Sequence, residues 1–276
     1  MSTTKLTAAL LRRMPLPKPD AQSDKDARGR VLVVAGSEAV PGAALLAGVA
    51  ALRAGAGKLQ LATAKAVAIQ LGLAVPEAMV IALPPSGGMR ALGPHVEQAD
   101  AILIGPGMDE GGPMRRFVGD VAKRMKPDAT LVLDAAGIPA ADRIRRGIIT
   151  PHTGEMANLL GVEREEIDAN AEEFARIASE RFGCVVALKG ATTFIAAGDE
   201  LYAFDGGSVG LATSGSGDTL AGVVAGLSAF GADPLTAALW GVWAHGTAGV
   251  RLAKRVNRVG FLARELLAEL PAVLRH

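Results

Sequence analysis

The chain has 276 residues, enough for one large α/β domain or two small ones, and half of them are apolar. A formal net charge of +1 with no basic block excludes the electrostatic footprint of a nucleic-acid or anionic-membrane binder. The single cysteine, Cys184, excludes an internal disulfide and a cysteine-rich metal site.

Residues 1–28 are polar and contain prolines. They read as a short helix near 3–13 followed by a linker, preceding a single domain over 29–276. The N-terminal Ala-Leu-Leu run is cut off by Arg12, Arg13 and Pro15, so no secretory signal is expected. From residue 30 short apolar runs recur, at 31–35, 58–62, 78–81, 101–104, 130–134, 147–150 and 184–188. Runs apolar on both faces suit a parallel sheet covered by helices on both sides. The run containing Cys184 is one of these, which gives the thiol a core-packing role. Helical patterns lie between the runs, at 43–54, 114–126, 171–182 and 218–230, and a β-hairpin is predicted at 193–197 and 200–204 around Gly198-Asp199. The expected architecture is therefore α/β, with a mainly parallel, doubly wound sheet and a small hairpin late in the chain. The most apolar stretches are 209–232 and 235–253. Glycines, Ser214 and Asp218 interrupt the first, and His245 and Arg251 the second, so neither reads as a membrane span and a cytoplasmic location is expected.

Ligands of such sheets bind beyond the carboxyl ends of the strands. Glycine-rich and polar segments fall at those ends: 36–44, 105–108, Asp134, 150–155 and 189–193. Gly55-Ala56-Gly57-Lys58 is not a P-loop, because position 52 is Leu and no Ser or Thr follows Lys58. Phosphate must be held another way. Ser214-Gly215-Ser216-Gly217-Asp218 supplies one: glycines that turn sharply at a helix start, with backbone N–H groups able to receive an anion. Asp218 is repelled by a phosphate, so it reads either as the base for an attacking hydroxyl or as a helix cap.

Taken together these residues resemble the ribokinase-like superfamily, and within it the ADP-dependent NAD(P)H-hydrate dehydratases. The resemblance rests on Gly36-Ser37 with Pro41-Gly42-Ala43-Ala44, on 51–57, Ile104-Gly105-Pro106-Gly107, Val132-Leu133-Asp134-Ala135, Leu188-Lys189-Gly190 and 212–222. Most specific is Thr150-Pro151-His152-Thr153-Gly154-Glu155-Met156, since sugar and vitamin kinases of the superfamily usually carry Asn where His152 stands. The resemblance implies a ribokinase-like fold and repair of hydrated NADH or NADPH. A phosphoryl group moves from ADP onto the C6 hydroxyl, phosphate leaves, and AMP is released. It also implies roles: Asp218 as base, with Gly215, Ser216 and Gly217 as the anion hole. Ala43, Gly107, His152 and Asp218 would contact the hydrated dinucleotide. Lys189, Gly190, Ala191, Thr192, Thr193 and Gly217 would contact ADP or AMP, and Glu155 would orient Mg2+ through water. A separate NAD(P)HX epimerase and a homotetramer are expected with it. The chain departs from the family's usual pattern at Asp134-Ala135-Ala136-Gly137 and at Gly207-Ser208-Val209-Gly210. His245, in the apolar run 240–251, reads as a helix-packing residue. The competing readings are an ATP-dependent vitamin or sugar kinase and a nucleotide-binding regulator without turnover.

Overall fold

Along one central strand, Val31 and Val33 enter one hydrophobic layer while Leu32 and Val34 enter the other, all fully buried. That alternation, with apolar residues on both sides, is why this segment lies inside a sheet covered twice. The structure is a computed structural model and describes residues 3–18, 24–84, 88–109, 111, 113–144 and 146–274.

The strands are β1 (Thr4–Lys5), β2 (Arg30–Val34), β3 (Lys58–Ala64), β4 (Ala78–Leu83), β5 (Ala101–Ile104), β6 (Thr130–Leu133), β7 (Gly147–Ile149), β8 (Val185–Leu188), β9 (Thr193–Ala197) and β10 (Glu200–Phe204). The helices are α1 (Ala8–Leu11), α2 (Gly42–Arg53), α3 (Ala68–Ala74), α4 (Gly88–Val96), α5 (Met114–Arg124), α6 (Thr153–Leu160), α7 (Arg164–Ala169), α8 (Ala171–Phe182), α9 (Ser216–Ala229), α10 (Pro234–Arg255) and α11 (Ala263–Val273). A 3-10 stretch, Ala135–Arg143, follows β6. One sheet runs in the order β1-β10-β9-β8-β7-β6-β5-β2-β3-β4. Pairing is parallel except where β9 lies antiparallel to β8 and β10. The expected mainly parallel sheet and late hairpin are both present.

One layer holds α2, α3, α9, α10 and α11. The other holds α4, α5, α6, α8 and the 3-10 stretch. In the first layer α2 and α9 pack backbone to backbone. A Cβ on Gly222 would lie 2.2 Å from the Ala47 carbonyl oxygen, and one on Gly226 would lie 2.4 Å from that of Ala51. Two hydrogen side chains one turn apart allow this approach, which fixes where α9 begins.

The N-terminal segment differs from expectation. In place of a helix near 3–13, β1 pairs parallel with β10, and a single turn, α1, follows with Thr7 as its cap. Leu6, Leu10 and Leu11 are buried in the first layer, and the Trp240 indole N–H donates to the Met14 carbonyl at 2.7 Å. The open edge of β10 satisfies backbone groups that an isolated short helix would leave exposed. Among the described residues no helix is long and apolar enough to cross a membrane.

The strand order also places the site. From β2 the chain steps outward to β3 and β4; from β5 it steps the other way through β6, β7 and β8. The order reverses between β2 and β5, and open α/β sheets bind ligands at such a reversal.

Candidate active site

The loops after β2 and β5 meet at this reversal. The Gly36 N–H donates to the Pro106 carbonyl at 2.7 Å. Gly107 adopts φ +62°, and a Cβ there would stand 2.4 Å from the Ala43 Cβ. The two small residues predicted to face the dinucleotide are therefore in contact, one opening α2 and the other closing the β5 loop. Larger side chains at either position would fill the crevice.

A charged cluster sits beside it, over β6, β7 and β8. Asp134 is 2 % exposed, and its side chain does not cap the 3-10 stretch that follows. Its Oδ1 accepts instead from the Thr150 hydroxyl at 2.7 Å and from Lys189 Nζ at 2.9 Å. Lys189 Nζ also lies 3.8 Å from Glu155 Oε2. Burial pulls the ammonium toward neutrality, but Asp134, Glu155 and Asp218 outweigh it and hold Lys189 above its ordinary pKa. The lysine is a fixed cation. Pairing extends beyond the regular strands here: the Lys189 N–H donates to the Pro151 carbonyl at 2.8 Å, and His152 and Lys189 form a parallel bridge.

The third part is the start of α9. Gly215 precedes it at φ +84°, a left-handed conformation suited to glycine, and no side chain caps the helix. The Ser216 N–H donates to Thr213 O at 3.2 Å. Among the described residues the Gly217 and Asp218 N–H groups have no partner, so they are free to receive an anion at the positive end of the helix. Asp218 is the third residue of α9 rather than its cap, and its carboxylate has no hydrogen-bond partner among the described residues. Burial raises its pKa to about 6, helped by Asp134 and Glu155 and opposed by Lys189. A carboxylate so tuned matches the need of a general base near neutral pH.

His152 caps α6. Its Nδ1 accepts the Glu155 N–H at 3.1 Å, and Glu155 Oε2 accepts the His152 N–H at 2.7 Å, a reciprocal capping box. With Nδ1 an acceptor, the neutral ring carries its proton on Nε2, on an exposed edge. Gly190, Ala191 and Thr192 form the turn between β8 and β9, and Thr193 opens β9. Gly190, Ala191 and Thr192 also border a cleft of about 880 Å³ shared with Thr153 and the α7–α8 junction. Sequence reasoning missed two partners. Thr150 lies within a recognised segment but carries no obvious sign of its bond to Asp134. His245 Nε2 lies 2.9 Å from the Ser216 hydroxyl, so it serves the start of α9 as well as helix packing. Cys184 is buried, and burial raises its thiol pKa to about 12, so it is an inert core group.

A doubly wound sheet with a glycine-started helix and an acid at its third position defines a ribokinase-like protein. The fold is similar to that of a ribokinase-like superfamily protein from Enterococcus faecalis, with a TM-score of 0.86 at 28 % identity over 99 % of this chain and 95 % of that one. The family model for NAD(P)H-hydrate dehydratase matches residues 31–272, and the chain belongs to that family. It is 50 % identical to the ADP-dependent (S)-NAD(P)H-hydrate dehydratase of Xanthomonas campestris, over 98 % of this chain and 95 % of the relative. Its fold is also similar to the ADP/ATP-dependent NAD(P)H-hydrate dehydratase of Bacillus subtilis co-crystallised with ATP/Mg2+. There the TM-score is 0.86 at 32 % identity, over 99 % and 98 % of the two chains. The bifunctional NAD(P)H-hydrate repair enzyme of Moorella thermoacetica is 38 % identical over 98 % of this chain, which spans 54 % of that longer protein.

Proposed function

We propose that the protein dehydrates (S)-NADHX and (S)-NADPHX to NADH and NADPH at the expense of ADP. The observation that carries this is Asp218: a partly buried carboxylate with a pKa near 6, beside two free helix N–H groups and a fixed lysine cation. Family membership supports the same reading over a vitamin or sugar kinase.

Asp218 takes the proton of the C6 hydroxyl. The oxygen attacks the terminal phosphorus of ADP; the new P–O bond forms as the bond to AMP breaks. The Gly217 and Asp218 N–H groups receive charge on the transferred phosphoryl. Gly215 and Ser216 form the turn that presents these groups, the Ser216 N–H being bonded to the Thr213 carbonyl. The ring nitrogen lone pair then expels phosphate, and loss of a C5 proton restores the dihydropyridine. Ala43 and Gly107 admit the ring and pyrophosphate against the backbone, and His152 offers its exposed Nε2–H. Gly190, Ala191, Thr192 and Thr193 carry the nucleoside end of ADP, with Gly217 at its phosphate end.

Among the described residues no group of three or more metal-ligating side chains is present. Glu155 lies at the rim with Asp218, and this donor set fits a Mg2+ ion brought in by nucleotide phosphates and reached through water. Bound there, the ion would neutralise phosphate charge. Exposed Ile69, Leu73 and Met79 near the β4 edge support self-association, in line with an expected homotetramer. A separate NAD(P)HX epimerase is the expected partner, and the word bifunctional in the relative's name supports a second activity linked to hydrate repair. The near-neutral charge and the soluble substrates support a cytoplasmic setting.

The test is a 340 nm assay with chemically prepared NADHX, Mg2+ and either ADP or ATP, with Asp218→Asn as control. An absorbance rise with ADP that the variant lacks supports the reading. No rise with either nucleotide, from a folded protein that binds AMP, overturns it.

A further inference from the structure

We propose that the Lys189 ammonium binds the phosphoryl group in transit rather than the nucleoside, and that Asp134 and Thr150 are positioning residues that hold it there. The proposal rests on the dehydratase reading and adds the side-chain role within the 189–193 segment. Lys189 turns away from its own turn toward α9: a Cβ on Gly217 would lie 3.4 Å from its Nζ. The cation therefore sits next to the free Gly217 N–H, where an incoming phosphoryl oxygen has both as partners.

Charge balance makes the cation necessary. Asp134, Glu155 and Asp218 all act on this point, so without Lys189 three carboxylates would face an anionic phosphoryl. Burial of Asp134 and Thr150, at 2 % and 0 % exposure, leaves the lysine little freedom to leave. The backbone is shaped for it as well. Ala135, next to Asp134, is the one non-glycine residue with positive φ among the described residues, at +46°. A Cβ on Gly105 would lie 1.8 Å from the Asp134 carbonyl oxygen, so the β5 loop presses directly on this bend. A left-handed alanine kept by such packing aims the preceding carboxylate at Lys189. The lysine keeps its proton throughout; one P–O bond forms as the other breaks, and the one proton that moves in the transfer goes from the C6 hydroxyl to Asp218.

AMP lacks the transferred phosphoryl and ADP carries it, so the two ligands separate the roles. Calorimetric titration of the full-length protein with AMP and with ADP, for wild type, Lys189→Met and Asp134→Asn, is the test, alongside kcat and KM with NADHX. The expected result is that Lys189→Met weakens ADP by about tenfold or more, as loss of a charge-assisted hydrogen bond does, while AMP binding changes less than about twofold. Asp134→Asn keeps Oδ1 as the acceptor for Thr150 and Lys189 but removes the negative charge that holds the ammonium in place. It should lower kcat and narrow the ADP-to-AMP preference, with Lys189→Arg/Asp134→Asn no worse than Asp134→Asn alone. Retained AMP binding is the folding control. Equal weakening of AMP and ADP by Lys189→Met, or an unchanged preference and kcat in Asp134→Asn, would overturn the proposal. If NADHX is not turned over at all, the dehydratase reading fails, while the AMP and ADP titrations still report where Lys189 acts.

Discussion

His245 and Ser216 lie 29 residues apart in sequence, yet imidazole Nε2 and hydroxyl Oγ meet at 2.9 Å where α10 passes the start of α9. Burial, and the nearby Lys189 cation, lower the His245 pKa to about 4 against the pull of the Ser216 backbone, so the ring is neutral at pH 7. The contact pins the first turn that presents Asp218. His245→Ala should lower kcat by about fivefold, the worth of one neutral hydrogen bond, with KM for ADP little changed. A Ser216→Ala/His245→Ala double variant should be no slower than the slower single one. Additive losses in that cycle would show that the two residues act separately.

Asp218 should impose an acid limb on the rate. As a base it works only when ionised, so kcat should rise with pH through about 6 and then level off. Stability runs the opposite way. Its folded pKa lies above the unfolded value of about 4, so the native state binds more protons between the two and loses stability as pH rises through that window. Asp218→Asn should abolish turnover while its Tm, relative to wild type, improves from pH 4 to 6 and stays constant above. Thermal melts at pH 4 and pH 8 decide this: a smaller advantage at pH 8 would contradict the origin of the shift in burial.

Gly107→Val would force a branched side chain into a left-handed turn and against Ala43. It should raise KM for NADHX by at least about tenfold, with a stability cost of about 1–3 kcal/mol for the strained backbone. AMP affinity, set elsewhere on the rim, should hold. Loss of AMP binding in a folded variant would place Gly107 in the wrong subsite.

Gly222→Ala tests the helix contact beneath the site. Its Cβ would press on the Ala47 carbonyl, and overpacking of this kind costs about 1–3 kcal/mol, or a Tm drop of several degrees in a chain this size. An unchanged Tm would mean that α2 and α9 separate without cost.

The strands were legible because β2, β5, β6 and β8 are apolar on both faces, a pattern that parallel sheets require. The glycine-flanked Asp218 was legible because its neighbours are small for a local reason, the tight helix start. β1 was not, since two residues carry no periodicity and its partner lies at the other end of the chain. The capping of α6 was hidden because His152 replaces the usual Ser, Thr, Asp or Asn. The Asp134–Thr150–Lys189 link joins positions 16 and 55 residues apart, and only the side-by-side order of β6, β7 and β8 brings them together.

The pairing of β1 with β10 sets a clock on synthesis. Lys5 finds Asp205 200 residues later, so a hydrophobic segment made before the rest of the sheet is sheltered only by one made long after it. Leu6, Leu10 and Leu11 cannot reach their native packing before β10 has been made, and by then the segments carrying Ala43, Gly107, His152 and Lys189 have all been translated. β1 thus closes as a clasp on a sheet whose other strands have all been made, and its protection from a protease would report that the sheet is complete.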